Sequence, residues 1–378
     1  MGRTGAVPGS VEMTVTVLLG GDVMLGRGVD QILPHPGAPE LREPWVRDAR
    51  RYVELAEWAH GSVPRPCGYE WVWGEVPALL DELAPEVRLV NLETAVTADG
   101  RFEPGKGIHY RMQPGNLPAL TAFAPDVCAL SNNHALDFGI GGLMDTLGAL
   151  ADAGIRAVGA GADLDAAQQP VAVPLPDGRR VLIASVATRS SGVPAGWAAG
   201  PGHPGVWRLD HPSVRHADEI AAHLSDHRRD DDLTIVSIHW GSNWGYGTGL
   251  SERQFAHRLI DAGIDIVHGH SAHHPRPIEI YRGKPILYGC GDVIDDYEGI
   301  GGHESYRPDL RLLYLVTLDP SGPAVLRMLP LRIRRIRLER PGRSDTQWLR
   351  TRLADISHRF GTRVEIGSDD LLTAEAAA

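Results

Sequence analysis

Cysteine is scarce in this chain: Cys67, Cys128 and Cys290 are the only three in 378 residues. An odd count with no C-x-x-C spacing argues against a disulfide framework or a zinc-thiolate site, and fits a reducing cytoplasm. Lysine and arginine form no block and the formal net charge is −11, so neither nucleic acid nor an anionic membrane surface is an expected partner. Long apolar runs are missing as well. Val15 to Leu19, the longest near the start, is too short for a signal h-region, and no stretch approaches the roughly 18 apolar residues of a membrane helix. Internal repeats and low-complexity segments are lacking. What remains is the composition of an ordinary globular chain, 43% apolar and 22% charged, expected in the cytoplasm and long enough for one large domain with insertions or two small ones.

Several apolar runs end in polar, reactive side chains. Val127 to Leu130 reads as a buried strand and runs into Ser131-Asn132-Asn133-His134, then Asp137 and a helix start at Gly139. An open α/β sheet presents functional groups in this way, at the carboxyl edge of its strands. The first strand, Thr14 to Leu19, ends in Gly20-Gly21-Asp22, and Val87 to Val90 ends in Asn91-Leu92-Glu93. Leu233 to Ile238 ends in His239-Trp240, and Ile264 to Val267 ends in His268-Gly269-His270-Ser271-Ala272-His273-His274. Each signal has a bland counterpart: Asp22 could cap a helix and Asn132-Asn133-His134 could be turn chemistry. Four histidines in seven residues are hard to read as packing.

The remaining pattern is coarser. Residues 1–11 read as a frayed start, and 30–75 as an insertion whose Trp71 and Trp73 could line a pocket but more often pack such a segment down. Lys106, His109 and Arg111 share one turn-rich segment that could hold a carboxylate or phosphate. A Gly/Pro/Trp-rich loop at 189–207 suits a lid. Pro277–Tyr281 and Lys284–Tyr288 read as a hairpin, and Leu312–Leu318 with Ala324–Ile333 as the outer side of a second sheet. One domain is expected over 12–340, followed at 341–378 by a helix and a loose tail. Asp22, Glu93, Asn133, His239 and the 268–273 histidines combine carboxylate, amide and imidazole groups, which favours a hard or borderline divalent cation.

These residues also carry a resemblance. Gly-Asp-Val-Met-Leu-Gly-Arg (21–27), Asn-Leu-Glu-Thr (91–94), Ser-Asn-Asn-His with Asp137, His239-Trp240-Gly241 and Gly-His-Ser-Ala-His (269–273) resemble, in order, the motif series of the CapA family of capsule poly-γ-glutamate synthesis. The resemblance implies an α/β fold, a four-layer α/β/β/α sandwich of the calcineurin-like metallophosphatase type, with its site at the strand ends. Two-metal enzymes of this fold carry Asp-x-His first, Gly-Asp second and Gly-His-x-His last. Here Met24, Asn91-Leu92-Glu93 and Ala272 depart from those motifs. The first metal position is therefore expected to have lost ligands, leaving one divalent ion (Ca, Mn or Mg) on Glu93, Asn133, His239 and His270.

A single ion disfavours a two-metal phosphoryl displacement. The resemblance implies His134 as an acid/base group, oriented by Asp137, with Asp22 and His273 as a second pair. Two such pairs suit proton removal from one face of a carbon acid and return on the other. The expected function is thus that of the family's lasso-peptide epimerase branch, inverting the α-carbon of a C-terminal residue of a precursor peptide. Lys106, His109 and Arg111 would hold the substrate carboxylate, and Trp240 and Trp244 would line its side-chain pocket. The alternatives are a phosphoesterase or γ-glutamyl polymer biosynthesis enzyme, and a non-catalytic module binding a polyanionic chain.

Overall fold

A computed structural model of the chain describes residues 14–318 and 322–377; the expected frayed start at 1–11 lies outside them. Two large sheets face one another. In the first, Val15–Val23, Val87–Leu92, Val127–Ala129 and Arg156–Val158 lie side by side and parallel. In the second, Arg180–Thr188, Leu233–His239, Ile266–His270 and Lys284–Leu287 are likewise parallel, with Ile278–Tyr281 closing the edge as the expected hairpin. Strands buried on both faces read as near-continuous apolar runs, as VLIASVA and LTIVSI do here.

Three apolar cores define the layers. Val17, Leu19, Leu89, Val127, Ile183, Ile235 and Ile266 pack between the sheets. Val76, Leu80, Leu120, Leu143 and Leu150 bring helices onto the outer face of the first sheet. Ala217, Ile220, Leu224, Phe255 and Leu259 place the helices Val214–His227 and Leu250–Asp261 on the outer face of the second. The order is helix, sheet, sheet, helix. Among the described residues, no helix is long and apolar enough to cross a membrane.

Two expectations about the chain's later part are corrected. Leu310–Leu318 and Val325–Ile333 do not form the outer side of a second sheet. They extend the first, with Leu310–Leu318 antiparallel to Val15–Val23. The tail is not loose either. Thr362–Ile366 and Leu372–Ala376 pair with each other, and the latter pairs with Val325–Ile333. Leu349 and Leu353 of the helix Arg343–Ser357 join Val364, Leu372 and Ala374 in the core between the sheets. Short strands with charged outward residues look like a tail in sequence; their alternate apolar residues seal the sandwich.

The 30–75 insertion is tied down as expected. Trp73 is fully buried against Phe123 at 4.7 Å between ring centroids, and Trp71 Nε1 donates to the Arg335 carbonyl at 3.2 Å.

One register decides the site. Val15–Val23 pairs in parallel with Asp292–Ile294, setting Asp22 beside Asp292. The two backbones approach so closely that a Cβ on Gly21 would stand 1.7 Å from the Gly291 carbonyl oxygen.

Leu372→Ala is expected to cost about 2–5 kcal/mol, the range for a truncated core leucine, in urea unfolding of the full chain. A wild-type midpoint would show the C-terminal strands to be dispensable.

Candidate functional site

The carboxyl ends of both sheets meet, and five strand ends deliver buried polar groups to one place. Asp22, Asn91, Glu93, His239, His270 and Asp292 are each no more than 2% exposed. Asn91 Nδ2 donates to Asp22 Oδ1 at 2.7 Å and to Glu93 Oε2 at 3.1 Å, while Asn132 Nδ2 donates to Asn91 Oδ1 at 3.0 Å. His239 and His270 are register partners on adjacent strands. Their Nδ1 atoms lie 2.9 Å apart, and His239 Nε2 lies 3.0 Å from Asn133 Oδ1 and 3.8 Å from Glu93 Oε1. His270 Nδ1 is 3.8 Å from Asp22 Oδ1. Ser271, at φ 103°, holds a backbone angle that side chains other than glycine avoid. Its N–H then donates to Asp22 Oδ2 at 3.2 Å.

Two imidazole–carboxylate pairs flank this cluster. His134 Nδ1 lies 2.6 Å from Asp137 Oδ2, leaving Nε2 facing Glu93 Oε1 at 3.6 Å. Lys106 Nζ donates to Asp137 and to the Asn133 carbonyl, and sits 3.1 Å from His134 Nδ1. His273 Nδ1 lies 2.9 Å from Asp292 Oδ1. Between the pairs stand two tyrosines. Tyr110 meets His134 edge-on at 4.4 Å, Tyr297 meets His273 edge-on at 5.1 Å, and the two hydroxyls hydrogen-bond at 2.5 Å.

The charges are unequal across the site. Burial pushes His134 down to about 4, the attraction of Asp137 offsetting only part of it, so its ring is neutral near pH 7. Burial would lower His273 too, but Asp292, Asp22 and Asp295 outweigh it and hold this ring above its ordinary value. Asp22 is raised to about 7 by burial and then by repulsion from Asp292. Glu93 is raised well above the carboxylate range by burial, Asp22 and Asp292. Asp137 goes the other way: burial would raise it, but His134 and Lys106 keep it low.

The donor set fits a divalent cation. Asp22, His239 and His270 offer ligand atoms within 4.8 Å of one another, as do Asp22, His273 and Asp292, and Asp292 Oδ2 is buried without a hydrogen-bond partner. Oxygen and imidazole donors suit a hard or borderline ion. Asp292 is kept low by His273 and Arg311, but Asp22 and Glu93 are held above the ordinary carboxylate range, and a bound cation would offset the cost of ionising them.

The structure brings together most of the residues expected from sequence and moves several. Glu93, Asn133, His239, His270, His134 and Asp137 converge. Asp22 does not pair with His273 as expected; the partner of His273 is Asp292, and Asp22 stands among the ligand-like groups. The first metal position has not simply lost ligands, because Asp292 brings a carboxylate there from a later strand. Its signal was present: Gly289-Cys290-Gly291-Asp292 follows an apolar strand just as Gly20-Gly21-Asp22 does. Asn91 was legible as well, two residues before Glu93 and so on the same strand face.

Trp240 does not line a pocket. It is fully buried, donates to the Tyr288 carbonyl at 2.9 Å and stacks on Tyr288. Trp244 is half-buried beside His273 and stacks on His303 at 3.8 Å. Lys106, His109 and Arg111 do not form one clamp. Lys106 serves the His134–Asp137 pair, His109 is buried against the Glu103 carbonyl, and Arg111 lies on Phe138 at 4.6 Å. His268 bridges the sheets, Nδ1 3.1 Å from Ser237 Oγ and Nε2 3.0 Å from the Gly20 carbonyl. His274 takes a hydrogen bond from Gly245 N–H at 3.0 Å. The 189–207 loop forms a wall of the site, Ser191 Oγ donating to the His239 carbonyl at 2.9 Å.

Comparison with known proteins identifies the family. Residues 16–297 match the model of the bacterial capsule synthesis protein PGA_cap, and the chain belongs to that family. It is 61% identical, over 96% of its length and 97% of the relative's, to a probable polyglutamine synthesis accessory protein of Mycobacterium tuberculosis. It is 30% identical, over 73% of its length and 62% of the relative's, to the PGA biosynthesis protein CapA of Bacillus subtilis.

Asp292→Asn is expected to lower the His273 titration midpoint, because it removes the carboxylate that most favours the imidazolium. NMR titration of chelator-treated protein reads this directly, and an unmoved midpoint would assign the charge on His273 to other neighbours.

Proposed function

We propose that this family member is a divalent-cation-dependent enzyme that cleaves or transfers amide bonds in the assembly of a glutamyl polymer, and that its fold is of the calcineurin-like metallophosphatase type. The relatives reported above are named for polymer synthesis, none for epimerisation. This favours the alternative reading of the sequence over the peptide epimerase. The observation that carries the chemistry is the pair of imidazoles, each on its own carboxylate, flanking one cluster of buried carboxylates and histidines.

Each group then has a task. Glu93, Asn133, His239 and His270, with Asp22, would hold the cation, which supplies Lewis-acid polarisation of the carbonyl and offsets the buried negative charge. His134, neutral and donating from Nδ1 to Asp137, offers the Nε2 lone pair to take a proton from the attacking water or amine. Lys106 holds Asp137 ionised and so fixes the ring's orientation. His273, held as imidazolium by Asp292, can give a proton to the departing amine. Environments that drive two titratable groups apart are a common mark of an acid and base assignment.

The two opposed pairs also suit epimerisation, in which one base takes an α-hydrogen and the other group returns it. The two readings part in D₂O, since only epimerisation carries solvent deuterium onto the α-carbon.

With Mn²⁺ or Mg²⁺, the purified protein is expected to shorten or rearrange poly-γ-glutamate, seen as a change in chain length and in free amines. His134→Ala should lower the rate by about 10²–10⁴-fold, the usual contribution of a positioned acid/base group, and chelation should abolish it. Turnover of an aryl phosphate but not of the polymer would point to phosphoester chemistry instead. Inertness towards both would sink the proposal.

A further inference from the structure

Beside the centre lies a cleft of about 680 Å³, bounded by Glu40 and Arg42 of the insertion and by residues 100–106, His109 and Arg111. That is within the roughly 300–1,000 Å³ of small-ligand sites. Four cationic side chains line it, Arg42, Arg101, Lys106 and Arg111, against two carboxylates, Glu40 and Glu103. The surplus of positive charge stands on a chain whose formal net charge is −11, so the cleft is a local attractor for an anionic ligand on an acidic molecule.

The cations are largely unspent. Arg42 pairs with Glu40 at 2.8 Å, a pair in which both side chains are more than half exposed. Such exposed pairs contribute little and exchange readily. Arg101 and Arg111 make no ion pair among the described residues. Arg111 lies over Phe138, and Phe102 lies under both Arg42 and Arg111, an apolar floor beneath guanidinium groups. Glu103 Oε1 is engaged by Trp197 Nε1 at 3.2 Å. His109, 2% exposed, forms part of the wall, and its Nδ1 is buried without a hydrogen-bond partner. Lys106 belongs to both places, lining the cleft and touching His134 and Asp137.

We propose that this cleft is the subsite for an acidic chain, whose successive carboxylates are taken by Arg42, Arg101 and Arg111 while Lys106 marks the passage to His134. Guanidinium forks match carboxylates bidentately, and a floor of Phe102 accommodates the methylenes between them. The inference deepens the polymer reading above and rests on it for the ligand's identity as a glutamyl chain.

The test uses the full chain and a fluorescein-labelled γ-linked glutamate oligomer, with a glutamine oligomer of the same length as the neutral control. Anisotropy is expected to show binding of the acidic oligomer alone, weakening as salt rises. The double variant Arg42→Glu, Arg101→Glu should lose roughly tenfold or more in affinity, as expected when attractive charges at a binding surface are reversed. Arg101→Lys should retain most of it, and an unchanged unfolding midpoint of each variant excludes misfolding. Equal binding of the neutral oligomer, or wild-type affinity in the double reversal, would overturn the subsite. If the reversal leaves binding intact while His134→Ala abolishes turnover, the subsite falls and the enzyme stands. If the reversal abolishes binding but the wild type turns nothing over, the enzyme reading falls and the subsite stands.

Discussion

Burying several carboxylates and imidazoles together is the costly demand that organises this molecule. Each ionised group taken from water loses hydration worth several kcal/mol even after relaxation. Burial and the nearby Asp292 raise both Asp22 and Glu93, while His273 and Arg311 keep Asp292 itself low. Such a cluster persists only where rigid elements force it. Here the force comes from two sheets whose parallel strands end at the same level, with apolar cores on three sides that resist any rearrangement.

Around that cluster the chain distributes compensation. Asn91 donates to two carboxylates at once, and Ser271 accepts an unfavourable φ so that its N–H meets a third acceptor, Asp22 Oδ2. Behind Asp292, the neighbouring Asp295 is paired with the buried Arg311 from the adjoining antiparallel strand. Arg27, lying over Tyr52 and Tyr110, pairs with Glu43 of the insertion at 2.7 Å and with Asp296 near the site. The insertion is therefore joined to the same polar network that positions the two tyrosines. Its place beside the basic cleft follows from that attachment.

How much of this could be read along the chain differs by element. The tips of the strands beginning at Val87, Val127 and Leu233 were legible because an apolar run followed by polar residues is a local pattern. The helix Arg343–Ser357 and the strands after it were legible as elements but not as parts of the sandwich. What they cover is the gap between the sheets, beside the strands Ile278–Tyr281 and Val325–Ile333 that come before them in the chain. Trp240 misled because an indole beside His239 looks the same whether it lines a pocket or packs a core. Strand alternation sends adjacent side chains to opposite faces, so His239 inward means Trp240 outward, onto Tyr288 and Phe255.

The sequence by itself determined which groups the chemistry could use: apolar strands to carry them, a His/Asp couple three residues apart at 134 and 137, and a family's motifs in order. Those are properties of neighbours, and local pattern reports neighbours. Only the tertiary structure decided who partners whom. The parallel pairing of Val15–Val23 with Asp292–Ile294 brings Asp292 to His273 and makes Asp22 a member of the ligand-like group instead. The path of residues 100–111 sets Lys106 against His134 and Asp137 while Arg111 lies over Phe138, so one apparent clamp becomes a lysine bracing the His134–Asp137 pair and a guanidinium farther along the same cleft. Register and loop path are set by packing across the whole sandwich, and no window of consecutive residues contains them.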